Sequence, residues 1–222
     1  MVTVIKLGGS LITDKKKQNT FRGDVMSRLA QEISAALHDT PSLRLIVTHG
    51  SGSFGHVAAE KHDTINGVRT EEQWVGFAEV AYVAAELNHR VSQTLFNANL
   101  PFFRLQPSAS ARCEDGELVH MAVEPIERAL EHGLIPLLYG DVALDTVRGG
   151  TIISTEQIIT YLSQHIAVDH VLLLGDVDGV LDKQGNIIPE ITPETLTGIE
   201  GSLGGSVGAD VTGGMIGKVK EM

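Results

Sequence analysis

Only one cysteine, Cys113, occurs in the chain. No internal disulfide can form, and neither a thiolate metal cluster nor a CxxC redox pair can be assembled, so a reducing cytoplasm is the expected setting. Cationic residues are also scarce: 17 Lys and Arg stand against 28 Asp and Glu, a formal charge of −11. Nucleic-acid binding requires clustered cations to neutralise phosphates, and this balance argues against it while leaving room for small anions at local positive sites. No run reaches about 18 apolar residues. The chain enters Val2-Thr-Val-Ile5 directly, without a basic segment and a long apolar stretch, so neither a membrane span nor an export signal is expected. What is present suffices for a large core: 42% of 222 residues are hydrophobic, which fits one domain over 1–222.

Val2 to Leu7 is a β-branched apolar run broken by Gly8-Gly9-Ser10, the pattern of a buried strand entering a turn. Val25, Leu29, Ile33 and Leu37 then recur at spacing four behind Asp24, which reads as the N-cap of an amphipathic helix. Arg44 to Thr48 is a second buried strand, and it runs into His49-Gly-Ser-Gly-Ser-Phe-Gly-His56, too rich in glycine to be expected as a regular element. Thr70-Glu-Glu-Gln73 has capping-box spacing ahead of a long stripe from Trp74 to Leu95. Strands are expected at 102–105, 134–139, 149–153 and 171–174, with a hairpin around Glu114-Asp-Gly116 and a short helix at 124–131. Ser154 is expected to cap a helix running to about Ile166. Apolar strands alternating with amphipathic helices predict a mostly parallel α/β sandwich with ligands beyond the strand C-termini.

Three glycine-rich segments, at 8–10, 50–55 and 175–179, follow predicted strands. Glycine lets backbone N–H groups approach an anion with no side chain between them, and a following helix start adds a favourable dipole. Any one of them reads as an ordinary tight turn; three in corresponding positions point to phosphate. Gly50-Ser-Gly52-Ser-Phe-Gly55 matches GxGxxG, but the second strand ending in an acidic residue that a dinucleotide fold needs is absent. The GxxxxGK[ST] pattern is absent as well, since Gly217-Lys218 is followed by Val219. Lys6 lies near the end of a buried strand, where a charge is expensive unless it meets an anion or a carboxylate. Lys15, in Asp14-Lys-Lys-Lys17, is a phosphate candidate on a loop, and Lys218 adds another cation after Asp210-Val-Thr-Gly-Gly214. His56 follows the second glycine turn directly. The other histidines form no metal-ligand spacing, and Asp176-Val-Asp178-Gly179 lacks the rest of a calcium loop, so no protein-bound metal is expected and a nucleotide or Mg²⁺ role is preferred for those aspartates.

Taken in order, Lys6-Leu-Gly-Gly-Ser10, the strand into His49-Gly50, Gly175-Asp-Val-Asp-Gly-Val180 and Asp210-Val-Thr-Gly-Gly-Met215 with Lys218 resemble the amino acid kinase superfamily over nearly the whole chain. Gly52-Ser-Phe-Gly-His56 is similar to the loop of its isopentenyl phosphate kinases, with fosfomycin kinases as the nearest alternative and a nucleotide-binding sensor without turnover as a further one. The resemblance implies a three-layer αβα sandwich, ATP with Mg²⁺, a small phosphate substrate and a homodimer. It further implies that Lys6, Gly8, Gly9, Ser10, Lys15 and Lys218 surround the ATP phosphates, and that Asp176, Asp178 and Gly214 belong to the nucleotide site. Ser51, Gly52, Gly55 and His56 are implied on the acceptor side, together with Thr155. The acceptor part is expected over about 1–150, and the nucleotide part over about 151–222 plus the Lys6 to Ser10 turn. The chain departs from the family pattern at Ser51, where a third glycine is usual, and at Ser154-Thr-Glu-Gln157, where Ser-Gly-Asp-Glu is familiar. It also ends at Met222, where members continue through another helix and strand, so a truncated C-terminal end is expected. An isoprenoid tail would need an apolar pocket, for which Phe77, Val80, Tyr82 and Val83 are candidates.

Overall fold

The computed structural model describes residues 1–14, 16–182, 184–192, 194 and 195, and it divides the chain into two compact units, 1–174 and 175–222. In the first unit, β1 (Val2–Leu7), α1 (Gly9–Ile12), α2 (Gly23–Asp39), β2 (Arg44–His49), α3 (Gly52–His62) and α4 (Glu71–Asn97) come first. They are followed by β3 (Phe102–Arg104), β4 (Arg112–Glu114), β5 (Glu117–His120), α5 (Glu124–Glu131), β6 (Ile135–Tyr139), β7 (Asp141–Asp145), β8 (Gly149–Ile153), α6 (Thr155–His165) and β9 (His170–Leu174). Among the described residues of the second unit, a short antiparallel bridge joins Leu181 to Ile187, and the Asp182 carboxylate closes the intervening turn by accepting the N–H groups of Gln184 and Asn186.

Among the described residues, five strands, in the order β3-β6-β2-β1-β9, form a sheet in which every pairing is parallel. The period of two decides which side chains meet which helices. Ile5, Leu7, Leu45, Val47, Ile135 and Leu137 face one side, where Met26, Leu29 and Ile33 of α2 and Val80, Leu87 and Val91 of α4 cover them. Val4, Ile46 and Leu138 face the other side, against Ile126 of α5 and Ile158, Ile159 and Leu162 of α6. Helices thus lie on both faces, the expected three layers. A smaller sheet, β5-β4-β7-β8, continues from the first, with Gly140 alone between β6 and β7.

The capping box at α4 is present: Thr70 Oγ1 accepts the Gln73 N–H, and Gln73 Oε1 accepts the Thr70 N–H. Ser154 and Gln157 do the same for α6. The hairpin at 114–117 turns through Asp115 (φ 51°) and Gly116 (φ 89°), the two left-handed positions such a turn requires. Two expectations are corrected. The α2 helix starts at Gly23 with Arg22 as its N-cap, and Asp24 sits in the first turn, where its charge complements the helix dipole without capping. The strand at 171–174 is not wholly buried: β9 closes the sheet order among the described residues, and Leu172 and Leu173 are each 47% exposed. Among the described residues, no helix is long and apolar enough to cross a membrane.

Candidate active site

β1 and β2 are adjacent and parallel, with Leu7 in register with His49, so the turns that follow them leave the same sheet edge side by side. The last bonds of the ladder continue into them: Gly8 N–H reaches Leu174 O at 2.8 Å, and Gly50 N–H reaches Leu7 O at 3.0 Å. Beyond that point the two turns touch backbone to backbone. A Cβ placed on Gly9 would lie 2.5 Å from Gly52 N and 2.6 Å from Gly52 Cα. Gly52 itself has φ +49°, and a Cβ there would lie 2.2 Å from Thr13 Oγ1. Glycine is required at both positions for contact, and at Gly52 for conformation too. This left-handed residue is what allows α3 to begin immediately, so the segment expected to be irregular is a helix from Gly52 onward, and His56 stands inside it. Gly55 is needed for a different reason: its Cβ would meet the Ser51 side chain at 2.5 Å, so the serine that replaces a usual third glycine fills the space beside Gly55. The Ser51 carbonyl accepts the N–H groups of Phe54 and Gly55, closing the first turn.

Strand parity sends the polar residues of these two strands to opposite sides. Lys6 lies on the Val4 side, facing α6, and its ammonium pairs with Glu156 Oε1. Both are buried, at 7% and 3% exposure. Glu156 Oε2 accepts the Thr155 hydroxyl at 3.1 Å. A buried ammonium therefore stands at the base of the first glycine turn with its orientation fixed from α6. Such a pair is held at a desolvation cost, and an incoming anion adds a second negative partner to the same cation.

His49 lies on the Leu45 and Val47 side, facing α4. It is fully buried, and burial pushes its imidazole down to about 4, against a smaller upward pull from the Gly50 carbonyl. The ring is neutral at physiological pH. Gly50 O, 3.1 Å from Nδ1, can only accept, so Nδ1 carries the proton and Nε2 accepts from Asn88 Nδ2 at 3.0 Å. Tyr139, the register partner of His49 on β6, stacks on the ring with centroids 5.6 Å apart. The turn carbonyl at Gly50 is thus tied to the long helix through a ring that stays neutral. At the β6 to β7 junction, Asp141 accepts the backbone N–H groups of Ser108 and Val142, and burial pushes its carboxyl up. Burial likewise pushes the Cys113 thiol up to about 11, with Asp145 and Glu117 adding to the shift, so it is not a nucleophile at neutral pH.

The structure brings Lys6, Gly8, Gly9, Ser10, Ser51, Gly52, Gly55, His56 and Thr155 into one unit, with Gly9 against Gly50 and Gly52, and Thr155 against the carboxylate that holds Lys6. His56, half-buried, projects from the first half of α3. Asp176 and Asp178 belong to the second unit; Lys15, Gly214 and Lys218 lie outside the described residues. Of the four tail candidates, Val80 and Val83 are core, Phe77 packs edge-to-face on Trp74, and Tyr82 is 69% exposed on the outer face of α4. Residue spacing did not reveal Glu156, Thr13, His49 or Asn88 as members of the site. For Glu156 a signal existed, an acid in the first turn of a helix directly after a strand; for the others the partners are 39 or 40 residues away, and only the tertiary contact announces them.

A parallel sheet with helices on both faces and two glycine turns in contact at one strand edge defines the class as α/β, with its candidate site at that edge. The chain belongs to the amino acid kinase family, whose model matches residues 1–222. It is 35% identical to the isopentenyl phosphate kinase of Methanothermobacter thermautotrophicus, over 99% of this chain and 85% of that protein, and 33% identical to the isopentenyl phosphate kinase of Methanocaldococcus jannaschii, over 97% and 84%. A solved isopentenyl phosphate kinase structure superimposes with a TM-score of 0.76 at 35% identity, covering 81% of this chain and 74% of the other. The product complex of the T. acidophilum isopentenyl phosphate kinase gives 0.71 at 26% identity, covering 84% and 76%.

Proposed function

We propose that this chain transfers the terminal phosphoryl group of ATP to isopentenyl phosphate, giving isopentenyl diphosphate and ADP. The observation that carries this reading is the backbone contact between the Gly8 to Ser10 turn and the Ser51 to Gly55 turn, beside a buried Lys6, in a chain 35% identical to an isopentenyl phosphate kinase. Joining two phosphates means bringing two anions together in line, and catalysis of that step is mainly positioning and charge neutralisation. The first turn and Lys6, with Lys15 and Lys218, serve the ATP phosphates, and Asp176, Asp178 and Gly214 serve the nucleotide. Gly52, Gly55 and His56 hold the acceptor phosphate. An acceptor oxygen forms the new bond to the terminal phosphorus as the bond from that phosphorus to the β–γ bridging oxygen of ATP breaks, and the oxygen leaves on the β-phosphate of ADP. A phosphate monoester has a second pKa of about 6, so it arrives largely as the dianion and needs no general base. His56 therefore clamps by donating a hydrogen bond.

Among the described residues, no group of three or more His, Cys, Asp or Glu side chains is placed to hold a metal. Mg²⁺ bound with ATP would neutralise charge on the nucleotide phosphates, as is usual for this ion. ADP release measured with isopentenyl phosphate, dimethylallyl phosphate, fosfomycin and acidic amino acids tests the assignment. Isopentenyl phosphate should give the highest kcat/KM; fosfomycin outrunning it, or ATP binding with no release for any acceptor, would sink the reading. His56→Ala should abolish most turnover while His56→Asn and His56→Gln retain part of it, and equal loss in all three folded variants would rule out the donor role. A homodimer through α4 is proposed on the same footing: Val75, Tyr82 and Phe96 recur at multiples of seven and are each about 70% exposed. Sedimentation should give a dimer that Tyr82→Glu with Phe96→Glu dissociates, and a monomeric wild type would reject it.

A further inference from the structure

Thr13 follows α1 and is 1% exposed. Its hydroxyl has one proton, donated to Gly9 O at 2.6 Å, and it accepts the Ser53 N–H at 3.0 Å. One oxygen atom therefore joins the carbonyl of the first glycine turn to an amide in the first turn of α3. Thr13 is held from its other sides as well. Its own N–H reaches the same Gly9 carbonyl at 2.9 Å, it pairs with Phe21 across an isolated bridge, and its methyl group stands where a Gly52 Cβ would come within 2.9 Å. The ladder between β1 and β2 ends with Gly50 N–H on Leu7 O. Past that bond, the glycine contact fixes how close the two turns come, and the Thr13 hydroxyl ties them at that distance, with Asn19 N–H on Ser53 O at 3.3 Å adding a bond from the loop that follows.

We infer that Thr13 is a positioning residue for phosphoryl transfer: its hydroxyl fixes the donor-side turn against the acceptor-side helix so that the two phosphates meet in line. This rests on the assignment of the two turns made above, with Gly8 to Ser10 on the ATP side and Gly52 to His56 on the acceptor side. The hydroxyl touches no reacting atom in this role. Its loss leaves each phosphate its own ligands and loosens only their mutual placement, and a misplacement of about 1 Å is enough to slow such a step about 100-fold.

Thr13→Val keeps the shape and removes both bonds; Thr13→Ser keeps the hydroxyl and removes the methyl. With whichever acceptor the wild type phosphorylates, Thr13→Val should lower kcat about 10- to 100-fold while KM for ATP and for the acceptor each stay within about threefold, and Thr13→Ser should keep kcat within about threefold of wild type. A Thr13→Val enzyme with kcat within twofold of wild type overturns the inference. So does a rise in one KM alone, which assigns the residue to a single turn, and so does a Thr13→Ser variant as slow as Thr13→Val, which assigns the effect to the methyl. Amide hydrogen exchange in the wild type supplies a reading that depends on neither folding of a variant nor turnover. The Ser53 amide should be protected to the same degree as the central amides of α4, whereas exchange at the rate of a frayed helix end overturns the bridge. Failure of the assigned reaction is distinct from these outcomes, since it appears as wild-type protein releasing no ADP with isopentenyl phosphate while Ser53 remains protected.

Discussion

Replacing Gly9 by alanine tests the contact between the glycine turns most directly. The added Cβ would lie 2.5 Å from Gly52 N and 2.6 Å from Gly52 Cα, whereas ordinary contact begins at 3.4 Å, so the turns must separate by about 0.9 Å at that point. The obstacle is backbone, anchored by Gly50 N–H on Leu7 O and by Ser53 N–H on Thr13, and no side chain can swing aside to make room. Forcing a methyl group into a filled space of this kind costs about 1–3 kcal/mol, which for a chain of this length lowers Tm by about 5 °C. The same displacement moves the donor side relative to the acceptor side, and kcat should fall about 100-fold. Gly23→Ala is the internal control. At the first position of α2, its Cβ would meet nothing closer than Phe21 Cε1 at 3.6 Å, so the better helix former should leave stability unchanged or raise it by about 0.5–1 kcal/mol. Urea unfolding at 25 °C with matched m-values, followed by steady-state kinetics on the folded proteins, reads both. A Gly9→Ala protein with the wild-type midpoint and a kcat within twofold would refute the reasoning.

Two further outcomes follow from buried polar groups. Glu156→Gln leaves the Lys6 ammonium buried without its carboxylate and should destabilise by about 3 kcal/mol, while adding Lys6→Met to it should recover stability without activity; a double-mutant cycle in urea that proves additive removes the pair from the account. His49 has a folded-state pKa of about 4 against an ordinary 6.5, so its contribution is complete above pH 6.5, declines as pH falls and is gone below about 4, a total of about 3 kcal/mol. Unfolding free energies between pH 4.5 and 7 should show a slope that His49→Gln reduces by about one proton, and parallel slopes for the two proteins would mean that His49 is protonated in the fold.

Most of the strands and helices, the caps at Thr70 and Ser154, the hairpin at Asp115-Gly116 and the glycine turns after β1 and β2 were determined by sequence, because each depends on residues a few positions apart: a period of two or of 3.6, a Ser or Thr three residues before a Gln, a glycine where φ is positive; β7 and the start of α3 at Gly52 were not legible in that way. The family pattern was readable for the same reason, as a succession of short motifs. What those motifs face was decided only by the tertiary structure. Lys6 announced that a buried charge needs a partner, but the partner, Glu156, is 150 residues away and is selected by the side of β1 on which Lys6 falls and by α6 covering that side. His49 and Asn88 meet because β2 presents the opposite parity to α4. The glycines at 9 and 52 read as two separate tight turns along the chain; parallel pairing of β1 with β2 makes them one site, since register alone sets how closely two strand ends, and the backbone that leaves them, come together.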